Sequence, residues 1–387
     1  MMQHSSRRKL LEEAVCALSA AASQAVGLPN ALYTDAALLD VERQRIFHRH
    51  WLAVGHVADV PQSGDAVPVD ASGVPLILAR DREGVVRGYH NVCSHRGLKL
   101  LDEPCRGRPT LVCPYHGWAY DLRGTLRAIP NFGGFGQRGA PGFDMRAHGL
   151  RPVRLAEAFG GLLFADLSGT APPFAAWAKP LLDRWQPYRF EALQHAHTER
   201  CVVEANWKLV AENFVDTLHL EWVHPQVADY SKPEDHYDVI LPPAYGTGSR
   251  NVLSLDPIAQ AIPVFPGLPE ALGNRGEFLF LYPSVLIFLL PNQIFSIMLE
   301  PLAPDRCGER LDFAFVAGGE ADAAAAARCW WIDGWRHLNG QDFGMLRRLQ
   351  QGRSSPAFAG GCFSAAMDQA ALALQRRVAA DLHADGS

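Results

Sequence analysis

The sequence predicts an α+β protein in which a small all-β unit precedes a larger unit of antiparallel sheet and helices. Three observations carry this expectation. Between Trp51 and Leu167 the apolar residues fall in short runs (75–78, 85–90, 110–113, 161–166) separated by Gly, Pro, Asp and Ser, the pattern of brief strands. Residues 277–317 then read as three or four strands of an antiparallel sheet. Residues 321–351 and 365–382 follow with apolar residues recurring on one face, as in helices that cover a sheet.

Taken in order, Leu10, Leu11, Val15 and Leu18 recur at helical spacing until Gly27-Leu28-Pro29 breaks the pattern, which predicts a short helical arm. A second, charged helix is expected over 37–50. The stretch Ser168-Gly169-Thr170-Ala171-Pro172-Pro173 has linker composition and follows a strand, so it marks a boundary. The expected organisation is an arm at 1–40, an all-β domain at 41–170 and a second domain at 171–387. In the latter, residues 204–222 lack Gly and Pro and predict one long helix ending before His224-Pro225, and the proline-rich 225–274 predicts long loops.

Hydrophobic residues make up 48% of the 387 and charged residues 20%, ordinary globular usage, which excludes a disordered or collagen-like chain. With 36 Lys and Arg against 41 Asp and Glu, the net charge of −5 gives no general attraction to nucleic acid or to an anionic membrane. The longest apolar stretch, 278–302, is interrupted by Pro283, Pro291, Asn292, Gln293 and Glu300, so no membrane span is expected. Arg7-Arg8 superficially suggests an export signal, but Glu12 and Glu13 stand where its apolar region belongs. A cytoplasmic location follows as the expectation, and with it eight reduced cysteines whose leading use is metal binding.

Cys93-Ser94-His95 and, 17 residues beyond His95's neighbour Arg96 inclusive, Cys113-Pro114-Tyr115-His116 present two sulfurs and two imidazoles from two short loops. Both donor types suit zinc or iron. A Cys2His2 finger groups its cysteines together and its histidines together, whereas here each loop supplies one of each. That distribution fits a [2Fe-2S] centre with both thiolates on one iron and both imidazoles on the other. Gly97 and Gly117 follow each pair and are expected to let the backbone approach the cluster and donate N–H groups to its sulfides. Cys105 has no companion histidine and reads as a bystander.

A second constellation lies on the 204–222 helix. Asp216 and His219 are three apart and so share a face, and His224 follows as the helix ends. With a distant carboxylate, the two imidazoles make a 2-His-1-carboxylate set that leaves coordination positions open for O2 and substrate. Asp322, Asp333 and Asp342 are the candidates.

Cys93-x-His95 with Cys113-Pro114-Tyr115-His116-Gly117-Trp118, over about residues 40–167, resembles the Rieske domain of the Rieske non-haem iron oxygenases. Glu212, Asn213, Asp216, His219 and His224 resemble the same family's iron-binding helix, in the right order along the chain. The resemblance implies a Rieske [2Fe-2S] domain followed by a helix-grip catalytic domain holding mononuclear Fe(II). It implies that Asp342, in the segment Gln341 to Gly352, is the third ligand, with Asp333 as runner-up. It also implies that Asp216 bridges a cluster histidine of one subunit to His219 of the next within a head-to-tail homotrimer. Electrons would come from NAD(P)H through a separate flavin and iron–sulfur reductase, because Gly133-Gly134-Phe135-Gly136 lacks the strand-to-helix setting of a dinucleotide loop. The implied reaction uses O2 to hydroxylate or oxidatively demethylate a small organic substrate, with quaternary ammonium compounds favoured by analogy. The alternatives are an aromatic-ring hydroxylating dioxygenase α subunit and, from another class, an electron-transfer or redox-sensing protein whose second domain only binds ligand.

Three weaker signals remain. His195 and His197 alternate on a strand and read as structural. Trp330, Trp331 and Trp335 lie at helical spacing, suited to a core or to a cation-binding surface. Asn206 and Lys208 are expected either to hydrogen-bond near the start of the iron-binding helix or to be capping or solvated residues.

Overall fold

The computed structural model describes residues 4–227, 231–252 and 256–384. Two compact units emerge, one of residues 48–171 and one of 1–47 together with 172–387. The unit 48–171 is all β. Its strands are β1 (Trp51–His56), β2 (Ala66–Ala71), β3 (Val74–Arg80), β4 (Val86–His90), β5 (Thr110–Val112), β6 (Ala119–Asp121), β7 (Leu126–Ala128), β8 (Pro152–Ala158) and β9 (Leu162–Asp166). Six form an antiparallel sheet in the order β1-β9-β8-β4-β3-β2, and β5-β6-β7 form a second, three-stranded sheet. The small core joins Leu100, Leu111, Trp118, Tyr120 and Ile129 to Cys93 and Cys113. The two cysteines are therefore fixed by apolar packing rather than by a flexible loop.

The other unit contains α1 (His4–Ser19), α2 (Ala31–Thr34), α3 (Ala36–Glu42), α4 (Phe174–Trp177), α5 (Lys179–Arg184), α6 (Trp207–Val215), α7 (Leu220–Val223), α8 (Ala321–Gly352) and α9 (Gln369–His383). Its sheet of β10 (Leu193–Val203), β11 (His236–Leu241), β12 (Ala244–Ser249), β13 (Gly276–Leu281), β14 (Val285–Leu290), β15 (Gln293–Ala303) and β16 (Arg306–Val316) is antiparallel throughout, in the order β10-β16-β15-β14-β13-β12-β11. Strands β13 to β16 are buried on almost every residue because helices cover the sheet, so alternation is lost and near-continuous apolar runs replace it. Among the described residues no helix is long and apolar enough to cross a membrane. All eight cysteines are free thiols.

Three sequence expectations change here. The arm expected at 1–40 groups with the second unit. Arg376 of α9 donates from Nε to the Leu18 carbonyl (2.8 Å) and from Nη2 to the Ala20 carbonyl (2.7 Å), closing the end of α1 with contacts no local pattern reveals. The proline-rich 225–274 is not all loop, because β11 and β12 form a hairpin around Pro242-Pro243 and add the sheet's edge. The helix expected over 204–222 is interrupted: α6 stops at Val215, Asp216 is extended (φ −90°, ψ 137°) and α7 begins at Leu220. The Asp216 carboxylate is the physical cause, since its Oδ1 accepts the Leu218 N–H at 2.7 Å and so replaces the helical bond with a local turn.

Helix α6 is anchored from within. Asn206 caps it, accepting the Lys208 N–H at 3.0 Å. Of the roles expected for Lys208, hydrogen bonding rather than solvation is found: it is fully buried with its Nζ 2.5 Å from Glu42 Oε1, and Trp207 Nε1 donates to Glu42 Oε2 at 2.7 Å. Burial pulls the Lys208 ammonium below its ordinary value, and the Glu42 carboxylate opposes that pull.

Candidate active site

The Cys-x-His loop at 93 and the Cys-x-x-His loop at 113 share one backbone hydrogen-bond pattern. Cys93 N donates to Leu98 O (2.8 Å) and Gly97 N to Cys93 O (2.9 Å). Cys113 N donates to Trp118 O (2.8 Å) and Gly117 N to Cys113 O (3.0 Å). Both glycines adopt φ +73°, which an L side chain resists, and this explains their position. Their N–H groups are consumed by the cysteine carbonyls, so the expectation that they serve a cluster sulfide is corrected.

These loops bring four side chains together. The His95 and His116 rings lie 4.6 Å apart, and His95 stacks on Trp118 at 4.6 Å. His95 Nδ1 is buried with no hydrogen-bond partner among the described residues, an arrangement that is costly unless a ligand takes the nitrogen's lone pair. The Cys113 thiol is pushed up by burial and, further, by the neighbouring Cys93. A pair of neighbouring thiols and a pair of neighbouring imidazoles, one nitrogen orphaned, presented by the same two loops match the donor set of a [2Fe-2S] centre with mixed ligation. Tyr120, which sequence reasoning overlooked, places its hydroxyl 3.2 Å from Cys93 Sγ, 3.1 Å from Ser94 N and 2.9 Å from Ser94 Oγ. Cys105 instead pairs through its backbone with Ala66 and packs against the apolar core that holds Cys93 and Cys113.

The second group is His219, His224 and Asp342, whose donor atoms lie within 4.8 Å of one another. The turn made by Asp216 puts His219 at the start of α7 and His224 at its end, and Asp342 descends from α8. His219 Nδ1 donates to Asp216 Oδ2 (3.2 Å). His224 Nδ1 donates to Gln341 Oε1 (2.8 Å), whose acceptor role is fixed because Gln226 Nε2 also donates to it at 2.8 Å. Both Nδ1 protons are thus held, and both Nε2 atoms face Asp342 Oδ1, at 3.1 Å from His224 and 3.8 Å from His219. Burial lowers the His224 imidazole, but the Asp342 bond and charge, with Gln341, outweigh it and hold the ring above its ordinary value. With both Nδ1 atoms committed elsewhere, the two Nε2 atoms turned to one carboxylate leave that cluster to a proton or a metal cation, and its donor set is that of a 2-His-1-carboxylate metal site.

Asp333 is not at this site: its carboxylate pairs with Arg336 at 2.8 Å and its side chain is 71% exposed. Asp322 lies in the first turn of α8, also outside the group. His195 bonds Thr198 (2.9 Å) and Asp312 (3.2 Å), and His197 faces Glu199 (3.2 Å), both in structural networks on β10 with a bulge between them.

A cavity of about 120 Å³ opens on His219, His224 and Asp342. Its wall includes Phe288, Phe295, Trp331 and Trp335, with Trp331 and Trp335 stacked at 6.1 Å and Phe288 4.7 Å from Trp335. The Trp331 indole N–H is satisfied by the Ala259 carbonyl (3.1 Å) and that of Trp335 by Gln293 Oε1 (3.3 Å), so both rings act through their carbon surfaces. Trp330 does not line the cavity and meets Trp331 edge-on at 5.0 Å. A carboxylic side chain that sequence reasoning missed, Glu309, also lines it.

Comparison with known proteins agrees with this division of the chain. Residues 50–138 match the family model of the Rieske [2Fe-2S] domain, and residues 190–384 match that of the ring hydroxylating alpha subunit (catalytic domain). The glycine betaine monooxygenase oxygenase subunit of Chromohalobacter salexigens is 35% identical over 219 residues, 56% of this chain. The matched region spans about half of that relative's length, 48%. The carnitine monooxygenase oxygenase subunit of Escherichia coli (strain K12) is 24% identical over 341 residues, 86% of each chain. A solved quaternary ammonium Rieske monooxygenase, studied for carnitine oxidation and inter-subunit electron transfer, superposes with a TM-score of 0.77 at 20% identity, covering 92% of this chain and 95% of the other, a likeness of fold.

Proposed function

From the premise that this chain belongs to the ring-hydroxylating alpha subunits of the Rieske non-haem iron oxygenases, we propose that it is the oxygenase component of a multicomponent system. It would use O2 to hydroxylate or oxidatively demethylate a small quaternary ammonium compound. Cys93, His95, Cys113 and His116 would hold the [2Fe-2S] cluster, and His219, His224 and Asp342 the mononuclear Fe(II). When bound, these centres supply one-electron storage and O2 activation respectively. The observation that carries the reading is the second triad: both Nδ1 protons are held by Asp216 and Gln341, both Nε2 atoms face one carboxylate, and an aromatic-walled cavity opens beside them.

The chain's own residues orient and exclude. Asp216 and Gln341 fix the imidazole tautomers. Phe288, Phe295, Trp331 and Trp335 exclude water and offer π faces to a cationic methyl group. Asp216 Oδ2 is proposed to accept, in addition to the His219 N–H, that of a cluster histidine from a neighbouring subunit of a homotrimer. A separate NAD(P)H-dependent flavin and iron–sulfur reductase would supply the electrons. The eight free thiols agree with a cytoplasmic setting.

Elemental analysis and O2 uptake test this reading together. Purified protein should hold about three irons per chain, two of them with acid-labile sulfide. With a surrogate reductase, methylated ammonium compounds should raise O2 uptake more than simple aromatics. Two irons and no substrate-dependent uptake would instead indicate an electron carrier, and a preference for aromatics would indicate a ring dioxygenase.

A further inference from the structure

One carboxyl group in the cavity neither holds iron nor orients an iron ligand. Glu309 sits on β16, opposite Cys201 of β10 and Leu299 of β15, and is 3% exposed. It receives two hydrogen bonds, from Asn339 Nδ2 at 2.9 Å and Cys201 Sγ at 3.5 Å, and both end on Oε2. Among the described residues none reaches Oε1, so one oxygen of a buried carboxyl group that lines the cavity is left for a ligand. Asn339 lies three residues before Asp342 on α8, which places the group it holds on the helix face that carries the proposed iron ligand.

Apart from the iron proposed for the triad, whose charge Asp342 already offsets in part, the wall supplies no balancing cation. Among the described lining residues there is no Lys or Arg. His236 bonds Ser231 Oγ at 2.9 Å, and burial lowers its imidazole, with Asp235 opposing, so it stays neutral. Burial, with a smaller contribution from the Asp342 charge, pushes the Glu309 carboxyl up to about 7, while its bonds to Asn339 and Cys201 work against the rise. An isolated carboxylate is costly in such a wall, and a cation beside it removes the cost. A ligand with its own carboxylate would meet Glu309 with repulsion and find no arginine to receive it.

We propose that Glu309 is the anionic anchor of a cation subsite, so that the substrate is a small ammonium monocation rather than a zwitterion carrying its own carboxylate. This rests on reading the cavity as the substrate pocket of an oxygenase centre. Trp331, Trp335, Phe288 and Phe295 pack around the apolar faces of the ammonium group, and Glu309 Oε1 provides the opposite charge. The distinction matters because glycine betaine and carnitine, named for the relatives, both bear a carboxylate.

Binding of three probes to the iron-loaded protein, measured by calorimetry, tests the inference: choline, glycine betaine, and the uncharged isostere of choline in which tert-butyl replaces trimethylammonium. Choline should bind at least about tenfold more tightly than either. Glu309→Gln keeps an acceptor for Asn339. It should weaken choline at least about tenfold while leaving the isostere and the cluster's visible spectrum unchanged. Glycine betaine binding as tightly as choline would overturn the inference and leave the oxygenase reading standing. Equal binding of choline and the isostere would also overturn it. If none of the three bound and none raised O2 uptake, the quaternary ammonium reading itself would fall.

Discussion

At the residue scale, what a sequence reveals depends on whether chemistry is carried by spacing or by packing. Cys93, His95, Cys113 and His116 are legible because both loops are local, each ligand pair spanning one turn. Tyr120 is less so, although it lies only four residues beyond His116: a tyrosine in a short strand reads as core, and its hydroxyl contact with Cys93 exists only because β6 passes beneath the first loop. Glu309 and Gln341 were hidden for the same reason, since each acts across elements on a partner more than 100 residues away. Tyr120 yields a prediction. A hydroxyl donating to a cysteine sulfur stabilises the reduced cluster, which carries the extra negative charge, and so raises the reduction potential. Tyr120→Phe should lower that potential by about 40 mV, the one-electron equivalent of roughly 1 kcal/mol for a lost hydrogen bond. Spectroelectrochemical titration of the visible band reads this directly, and an unchanged or raised potential would rule out the donor role.

At the scale of elements, periodicity located β13 to β16 and α8 but misjudged the iron-site helix. No Gly or Pro marks the break at Asp216, because the breaker is a side chain that competes for the backbone, its Oδ1 taking the Leu218 N–H. The shortened α6 depends on its buried anchor. Lys208 and Glu42 lie 166 positions apart and are both fully buried, so removing one leaves an uncompensated charge. Lys208→Ala should therefore cost about 3–5 kcal/mol of stability. The double variant Lys208→Met with Glu42→Gln leaves no unpaired charge and retains an acceptor for Trp207 Nε1, so it should be markedly more stable than the single variant. Denaturant titrations of the three proteins decide the matter. A double variant no more stable than Lys208→Ala would show that the helix is held by shape alone.

On the scale of the whole molecule, the question is whether a single chain completes the electron path or whether the path needs a second copy. The proposed homotrimer answers in favour of a second copy, with Asp216 as the junction, bonded to His219 on one side and with 28% of its side chain exposed for a further N–H. Genetic complementation separates the alternatives without any assumption about reductase or substrate affinity. Cys93→Ser should abolish the cluster and leave the triad intact, and His224→Ala should do the reverse, so each homotrimer is inactive alone. If electrons pass between neighbours, coexpressed subunits recover activity wherever an intact cluster precedes an intact iron site. For random assembly around a cyclic interface that is about one quarter of the sites. If they pass within one chain, no mixture recovers anything, because no single chain carries both centres. Adding Asp216→Ala to the Cys93→Ser subunit, which supplies the working triad, should abolish the recovered turnover while leaving its iron content unchanged. Recovery that survives this third substitution would show that the electrons cross by another route.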